Sequence, residues 1–146
     1  MTSRAADGAP TATGPTATGH CLCGAVRYRV FATLNPVSNC HCSQCRRQHG
    51  APGSYTGGLP VESVVIDGRE NLRWYQSSAT ARRGFCRECG SKLFWQATNR
   101  KTIDIATGSL DQPTGLHLGR HIFVADKGDY YDIADDVRRF AGSSSS

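Results

Sequence analysis

The chain of 146 residues contains seven cysteines, which fall into three closely spaced groups. The groups lie in the motifs CLCG, CHCSQC and CRECG, and their members are Cys21 and Cys23; Cys40, Cys42 and Cys45; and Cys86 and Cys89. Seven is an odd number, so disulfides cannot pair them all. The N-terminus also lacks the charged-then-apolar pattern of an export signal. We therefore expect a reducing, cytoplasmic setting in which the thiolates bind metal.

Two of the groups together predict a closed metal site. A C-x-x-C-G turn directs two sulfurs toward one point, and CLCG supplies a similar pair with one residue fewer. The combination predicts a tetrahedral four-thiolate zinc site, which would stabilise the fold without taking part in chemistry. Its ligands would be Cys21, Cys23, Cys86 and Cys89.

The remaining group, Cys40, Cys42 and Cys45, offers only three ligands. Three protein ligands and a free fourth position are typical of catalytic zinc. Two alternatives stay open on spacing alone. His49, four residues beyond Cys45, could close a structural site, or the group could be part of an iron–sulfur centre, although such clusters usually need four thiolates.

The charge pattern gives little support to nucleic-acid binding. The formal net charge is +5, and 14 of the 17 basic residues are arginines dispersed along the chain. Seven thiolate charges and two divalent zinc ions would lower the total from +5 to +2. No apolar run approaches the roughly 20 residues that a membrane-spanning helix needs. We expect no membrane association, and the sequence does not indicate an oligomeric state.

The two ends differ in composition from the rest. Residues 1–19 are rich in Ala, Thr, Gly and Pro and contain TATG twice, and residues 142–146 are GSSSS. Such segments bury too little apolar surface to order themselves, so we expect two disordered tails around one domain over residues 18–141.

Short alternating runs dominate this domain and predict antiparallel β-strands. The runs are AVRYRVF, ESVVI, NLRWYQ, SKLFWQ, TIDIAT and RHIFVA. Two short helices are predicted: one in SQCRRQHG, with Ser43 as N-cap and Gly50 at its end, and one in DIADDVRRF near the C-terminus. The sequence therefore predicts a mainly β fold with few short helices.

Five motifs in order resemble the glutathione-dependent formaldehyde-activating enzyme family, which includes the centromere protein V group. They are GHCLCGAVRY, CHCSQCRRQHGAP, RRGFCRECGSKLFW, GSLDQP and RHIFVADKGDYYDI. The resemblance implies a zinc-bound β-sandwich of several small antiparallel sheets, similar to the methionine sulfoxide reductase B and translationally controlled tumour protein families. It also implies two zinc ions per chain: a structural one on Cys21, Cys23, Cys86 and Cys89, and a catalytic one on Cys40, Cys42 and Cys45.

The activity implied by the resemblance is that of a carbon–sulfur lyase. Its partner would be a small thiol such as glutathione, its substrate S-hydroxymethylglutathione, and the fourth zinc position would be free for the thiol. The sequence departs from relatives in carrying Tyr130 and Tyr131 where a tryptophan is common. The rival interpretation is a non-catalytic, zinc-stabilised module that binds nucleic acid or protein.

No separate acid or base is assigned. His41 and His49 flank the cysteine triplet, and we expect both to face solvent. Arginine pairs are usually solvated, so the sequence predicts surface positions for Arg46, Arg47, Arg82 and Arg83.

Overall fold

The computed structural model describes residues 14–143, and within this range it contains ten β-strands and one α-helix. The strands are β1 (Ala17–His20), β2 (Arg27–Val30), β3 (Val37–Cys40), β4 (Gly53–Pro60), β5 (Val64–Asp67), β6 (Leu72–Ser78), β7 (Ala81–Cys86), β8 (Lys92–Ala97), β9 (Thr102–Ala106) and β10 (Leu118–Ile122). The helix, α1 (Ser43–His49), lies between β3 and β4. The expected mainly β class is confirmed. Among residues 14–143, no helix has the length and apolar character needed to cross a membrane.

The smaller sheet consists of three antiparallel strands in the order β1–β2–β5. Its central strand follows the predicted alternation, since Val26, Tyr28 and Val30 are buried while Arg27 and Arg29 are exposed. Side chains alternate between the two faces of a strand, so one face of β2 is apolar and the other is solvated.

The larger sheet has seven strands in the order β10–β3–β4–β9–β8–β7–β6. Every neighbouring pair is antiparallel except β10 and β3, which run parallel. The alternating runs predicted β5, β6, β8, β9 and β10, but β1, β3, β4 and β7 were not predicted. Strand β4 contains Gly53, Gly57 and Gly58, and its register shifts at a bulge between Thr56 and Leu59. These features interrupt the alternation of apolar and polar residues by which a strand is predicted.

The core lies between the two sheets. The Tyr28 ring of the small sheet meets the Phe94 ring of the large sheet edge to face, with 5.4 Å between the ring centroids. The Tyr28 hydroxyl is 2.6 Å from the Ser109 Oγ. Gly19 passes directly over this hydroxyl, and a Cβ at that position would overlap it. A larger residue therefore cannot replace Gly19 without displacing the Tyr28 ring and the Ser109 backbone.

Helix α1 begins one residue earlier than predicted. Its N-cap is Cys42 rather than Ser43, because the Cys42 sulfur accepts a hydrogen bond from the Cys45 backbone N–H at 3.3 Å. The predicted end is correct: Gly50 adopts φ 74° and donates its N–H to the Arg46 carbonyl.

The predicted C-terminal helix in DIADDVRRF is wrong, since this segment is not helical. Its backbone groups bond to the end of β10 and the turn beyond it instead. The His121 N–H donates to the Arg138 carbonyl, the Phe140 N–H donates to the His121 carbonyl, and His121 and Arg139 form an isolated parallel bridge. Backbone groups that pair across to another segment cannot also close helical turns.

The described structure extends slightly beyond the predicted domain at both ends. The Thr16 N–H donates to the Val30 carbonyl at 2.7 Å, and Ala17 opens β1. The Gly142 carbonyl accepts from the Phe123 N–H at 2.7 Å. The rest of the two predicted tails, residues 1–13 and 144–146, lies outside the described residues.

Candidate metal centres

The first candidate centre is the four-cysteine cluster, formed by Cys21, Cys23, Cys86 and Cys89. Cys21 follows β1, Cys86 ends β7, and the other two cysteines lie in the turns that follow. Gly90, with φ 77°, closes the second turn and donates its N–H to the Cys86 carbonyl. The cluster therefore joins the start of the small sheet to the large sheet, and 63 residues separate Cys23 from Cys86.

The spacing of these sulfurs fits a tetrahedral metal. The Sγ atoms lie within 4.8 Å of one another, with 3.7 Å between Cys21 and Cys23 and 3.8 Å between Cys23 and Cys86. A zinc ion with Zn–S bonds of about 2.3 Å places its sulfurs about 3.8 Å apart. A disulfide would need about 2 Å, and all seven cysteines are free in the described structure. The donor set and the distances both suit zinc.

Neighbouring groups stabilise thiolates in the four-cysteine cluster. The backbone N–H groups of Val26 and Glu88 donate to the sulfurs of Cys21 and Cys86, each at 3.3 Å. The Ser91 hydroxyl, 3.2 Å from the Cys89 sulfur, is the main cause that lowers the pKa of Cys89 to about 5. The Ala25 backbone would lower the pKa of Cys23, but desolvation and the hydrogen bonds to the other three sulfurs raise it to about 12, so the surroundings favour the thiolate at Cys89 and not at every member of the cluster.

The second candidate centre is the three-cysteine cluster, formed by Cys40, Cys42 and Cys45. Cys40 is the last residue of β3, Cys42 caps α1, and Cys45 lies in its first turn. The three Sγ atoms lie within 4.8 Å of one another, Cys40 and Cys45 are buried, and Cys42 is partly exposed. Hydrogen bonds from the Cys40 and Cys45 thiols lower the pKa of Cys42 to about 2. The strand end and the helix cap therefore hold three donors around one point, with access past Cys42.

No fourth protein ligand joins this cluster among residues 14–143, where no other Cys, His, Asp or Glu places a ligand atom within the same group. His49, considered as a closing ligand, directs its Nε2 to the Tyr55 hydroxyl at 2.6 Å instead. His49 is half-buried rather than solvent-facing. Burial is the main cause that lowers the pKa of His49 to about 4, so its imidazole is neutral near pH 7.

A buried arginine contacts the three-cysteine cluster. Arg83 on β7 is 5% exposed, which corrects its expected surface position, whereas Arg82 is partly exposed. Its Nη1 and Nη2 atoms donate to the Cys45 sulfur at 3.7 and 3.8 Å, and Nη1 donates to the Tyr55 hydroxyl at 3.5 Å. Burial is the largest influence on the pKa of Arg83 and would lower it, but the nearby Cys45, Tyr55 and Cys42 together outweigh burial and the net direction is upward.

His41 was also expected to face solvent and instead is 2% exposed. Its Nδ1 lies 2.7 Å from the Tyr131 hydroxyl, and its Nε2 lies 2.8 Å from the His121 Nδ1. The His121 Nε2 lies 3.0 Å from Asp135. Burial is the main cause that lowers the pKa of His41. Hydrogen bonds therefore tie the loop between Cys40 and Cys42 to the C-terminal segment.

A cleft of about 780 Å³ lies beside the four-cysteine cluster and the C-terminal end of α1. Its lining includes Cys21 of the four-cysteine cluster, Gln48 and His49 of α1, and Lys92 of β8. The sulfurs of the three-cysteine cluster do not line it, although α1 contributes to both features. The cleft and the three-cysteine cluster therefore share α1 but no sulfur.

Several residues at the centres were not identified from the sequence. They are Tyr55, Arg83, His121, Tyr131 and Asp135, which come from four separate parts of the chain. Arg83 lies next to Arg82 in a strand whose burial pattern is irregular, so no alternation marks it as buried. Asp135 lies in the segment that was predicted as a helix, and Tyr131 is close to its start, so that prediction gave no sign of their contacts with His121 and His41.

Comparison with known proteins identifies relatives of this chain. The family model described as "Glutathione-dependent formaldehyde-activating enzyme" matches residues 16–126. An uncharacterized lyase of Schizosaccharomyces pombe is 28% identical over 84% of this chain and 88% of its own length. A Halomonas elongata protein, named provisionally as a glutathione-dependent formaldehyde-activating enzyme, is 30% identical over 85% of this chain and 86% of its own length.

A solved structure is similar as well. The crystal structure of a Rhodobacter sphaeroides protein is 30% identical and superimposes with a TM-score of 0.52, covering 65% of this chain and 88% of that one. The matched family segment contains all seven cysteines and both candidate metal centres. The chain belongs to the glutathione-dependent formaldehyde-activating enzyme family.

Proposed function

We propose that this protein is a zinc-dependent carbon–sulfur lyase that makes or breaks the adduct of a small thiol, such as glutathione, with formaldehyde. The four-cysteine cluster would hold a structural zinc ion, and the three-cysteine cluster would hold a catalytic one. The observation that carries the proposal is the contrast between the two clusters. One offers four sulfurs at tetrahedral spacing, and the other offers three with no further protein ligand among the described residues.

The reaction needs a reactive sulfur and a place for a proton. In the direction of synthesis, the thiolate sulfur attacks the carbonyl carbon of formaldehyde, and the C=O π electrons move to oxygen. That oxygen takes up one proton, replacing the one that the thiol released, which gives the S-hydroxymethyl adduct S–CH₂–OH; cleavage is the reverse. Zinc at the three-cysteine cluster would supply a lower pKa for the substrate thiol and so keep it as thiolate near neutral pH.

The protein itself contributes position and shielding. Cys40 and Cys45 are buried and Cys42 is partly exposed, so a thiol would approach from the Cys42 side. The neighbouring cleft of about 780 Å³ lies within the usual range of small-molecule sites, and the Lys92 on its wall carries a positive charge suited to a glutathione carboxylate. Free metal-binding thiols persist in reducing surroundings, so we also propose a cytoplasmic location.

The test follows the exchange between ¹³C-labelled formaldehyde and its glutathione adduct by NMR. We expect the protein to accelerate exchange above the spontaneous rate, and Cys42→Ser to remove that acceleration while the protein stays folded. Ser43→Ala, an exposed neighbour outside the clusters, is the matched control and should keep the parent rate. Equal rates for the parent and Cys42→Ser would contradict the proposal and favour a non-catalytic binding module.

A further inference from the structure

Arg83 is a buried cation without a carboxylate partner among residues 14–143. It is 5% exposed, and the ion pairs formed by the described residues do not include it. Its guanidinium contacts two groups, the Cys45 sulfur and the Tyr55 hydroxyl. Burying an unpaired charge is costly, so a cation in this position requires an anion close by.

The sulfur of Cys45 is the contact that can meet this requirement. Tyr55 is itself buried, and burial raises its pKa, so its hydroxyl stays neutral. Both terminal nitrogens of Arg83 point at the same sulfur, at 3.7 and 3.8 Å. Two donors from one guanidinium onto one sulfur form a charge-assisted contact, and such contacts are stronger than neutral ones.

We infer that Arg83 is a positioning residue of the three-cysteine cluster: its two Nη donors hold the Cys45 sulfur in place as a zinc ligand, and its charge offsets the charge that a bound thiolate adds. This inference rests on the proposed function. Three thiolates around one zinc ion carry a net charge of −1, and a fourth thiolate makes it −2. With the Arg83 charge beside Cys45, the liganded centre returns to −1. Counting Arg83, the centre is neutral at rest and carries −1 with the thiolate bound, so an incoming anionic sulfur meets less repulsion than it would without Arg83.

The second effect concerns the metal. A hydrogen bond to a ligating sulfur withdraws electron density from it, so hydrogen-bonded thiolates donate less to the metal than free ones. The Arg83 contact should therefore leave the metal at this cluster more electron-poor and more receptive to an incoming thiolate. Both effects act in the same direction, toward tighter thiol binding.

The neighbouring residue provides a matched control. Arg82 donates from Nε and Nη2 to the Gln96 Oε1, and its guanidinium lies 4.0 Å from the Trp74 ring centroid. Adjacent side chains of a strand point to opposite faces, so Arg82 lies away from the cysteines. Changing Arg82 removes the same charge from the same strand without touching Cys45.

The first experiment uses cobalt-substituted protein and the sulfur-to-cobalt charge-transfer band of the resting centre. Cys42→Ser retains cobalt at the four-cysteine cluster only. Subtracting its spectrum from that of each other protein leaves the bands of cobalt at the three-cysteine cluster. Arg83→Gln and Arg83→Met are two neutral variants, the second being apolar and suited to a buried position. We expect both to shift the band to longer wavelength, since the sulfur becomes more electron-rich, and Arg82→Gln to leave it in place.

The second experiment titrates these proteins with 2-mercaptoethanol, a thiol without carboxylates that Arg83 could bind directly. Loss of a charge-assisted contact should weaken thiol binding by about tenfold or more in the two neutral variants. Arg83→Lys retains the charge and should recover most of the affinity. Retention of metal at the four-cysteine cluster verifies that each variant is folded.

The outcomes separate this inference from the proposed function. If the parent binds 2-mercaptoethanol and the neutral Arg83 variants match Arg82→Gln in both affinity and band position, the inference is overturned. If the parent spectrum does not respond to thiol, the proposed function and the thiol-binding part of the inference both fail. In that case, a shifted charge-transfer band in the neutral Arg83 variants without thiol still supports the Arg83–Cys45 contact. An unshifted band contradicts it.

Discussion

The Nε2 atom of His41 lies 2.8 Å from the Nδ1 atom of His121, although 80 residues separate them in sequence. Both imidazoles are buried, at 2% and 3% exposure. The hydrogen bonds are complementary if Tyr131 donates to His41, His41 donates to His121, and His121 donates to Asp135. The C-terminal segment is thereby attached to the loop that carries Cys40 and Cys42.

The first prediction concerns the outer end of this chain of hydrogen bonds. Tyr131→Phe removes the hydroxyl that lies 2.7 Å from the His41 Nδ1 and leaves a buried ring nitrogen without its partner. We expect the free energy of unfolding to fall by about 1–2 kcal/mol. Urea denaturation of the zinc-loaded protein measures it.

Tyr130→Phe is the control for this change. Tyr130 is 60% exposed and packs its ring against Tyr131, so the phenylalanine retains that contact while losing an exposed hydroxyl. We expect a change within about 0.5 kcal/mol. Equal losses in the two variants would mean that the Tyr131 hydroxyl does not stabilise the loop.

The second prediction concerns pH and His49. Burial, with smaller contributions from the charges of Arg83 and Lys92, lowers the pKa of His49 in the folded state to about 4, against 6.5 for the ordinary imidazole. The unfolded chain therefore binds a proton at higher pH than the folded one. The stability contributed by neutral His49 is complete above pH 6.5 and is lost as the pH falls toward 4.

Between pH 7.5 and pH 5 this difference amounts to about 2 kcal/mol of unfolding free energy. His49→Gln cannot take up the proton, so we expect its stability to fall less than that of the parent over the same interval. Urea unfolding of both proteins at both pH values gives the two changes in unfolding free energy. Acid-induced loss of metal affects both proteins alike, so it cancels in the difference between these changes. Parallel pH profiles would show that His49 titrates normally in the folded protein.

The third prediction is that the two cysteine clusters respond differently to substitution. Cys86→Ser removes a ligand that is 0% exposed from the four-cysteine cluster. Since structural zinc binding is coupled to folding, we expect a loss of several kcal/mol and poor retention of zinc. Cys42→Ser should leave a folded protein with one zinc ion per chain, against two in the parent.

Elemental analysis and thermal denaturation of the same preparations measure both effects. If Cys42→Ser unfolds as readily as Cys86→Ser, the three-cysteine cluster is a structural site. A reproducible iron signal with visible colour in the parent would instead favour the iron–sulfur alternative.

Much of the fold and the division of the cysteines could be predicted from local pattern. Alternation identified β2 and β8, and motif spacing separated the seven sulfurs into groups of four and three. Strand β4 was missed because its three glycines and its bulge interrupt the alternation, and Asp104 accepts the Gly58 N–H at 2.9 Å at that point. This bond to a distant residue leaves no local signal.

The residues around the sulfurs could not be predicted for a similar reason. Arg82 and Arg83 are adjacent and chemically alike, and only the tertiary structure turns one toward Cys45 and the other toward Trp74. The apolar spacing in the C-terminal segment favoured a helix. Its backbone pairing beside β10 outweighs that weak preference.

The most direct test of the open three-cysteine centre is zinc X-ray absorption of the parent protein, recorded without and with 2-mercaptoethanol. The spectrum averages over both zinc ions, so four sulfurs at one site and three at the other correspond to about 3.5 sulfurs per zinc. We predict that the thiol raises this average to about 4, as the fourth position gains a sulfur. An average that does not rise when thiol is added would contradict an open, thiol-binding zinc site.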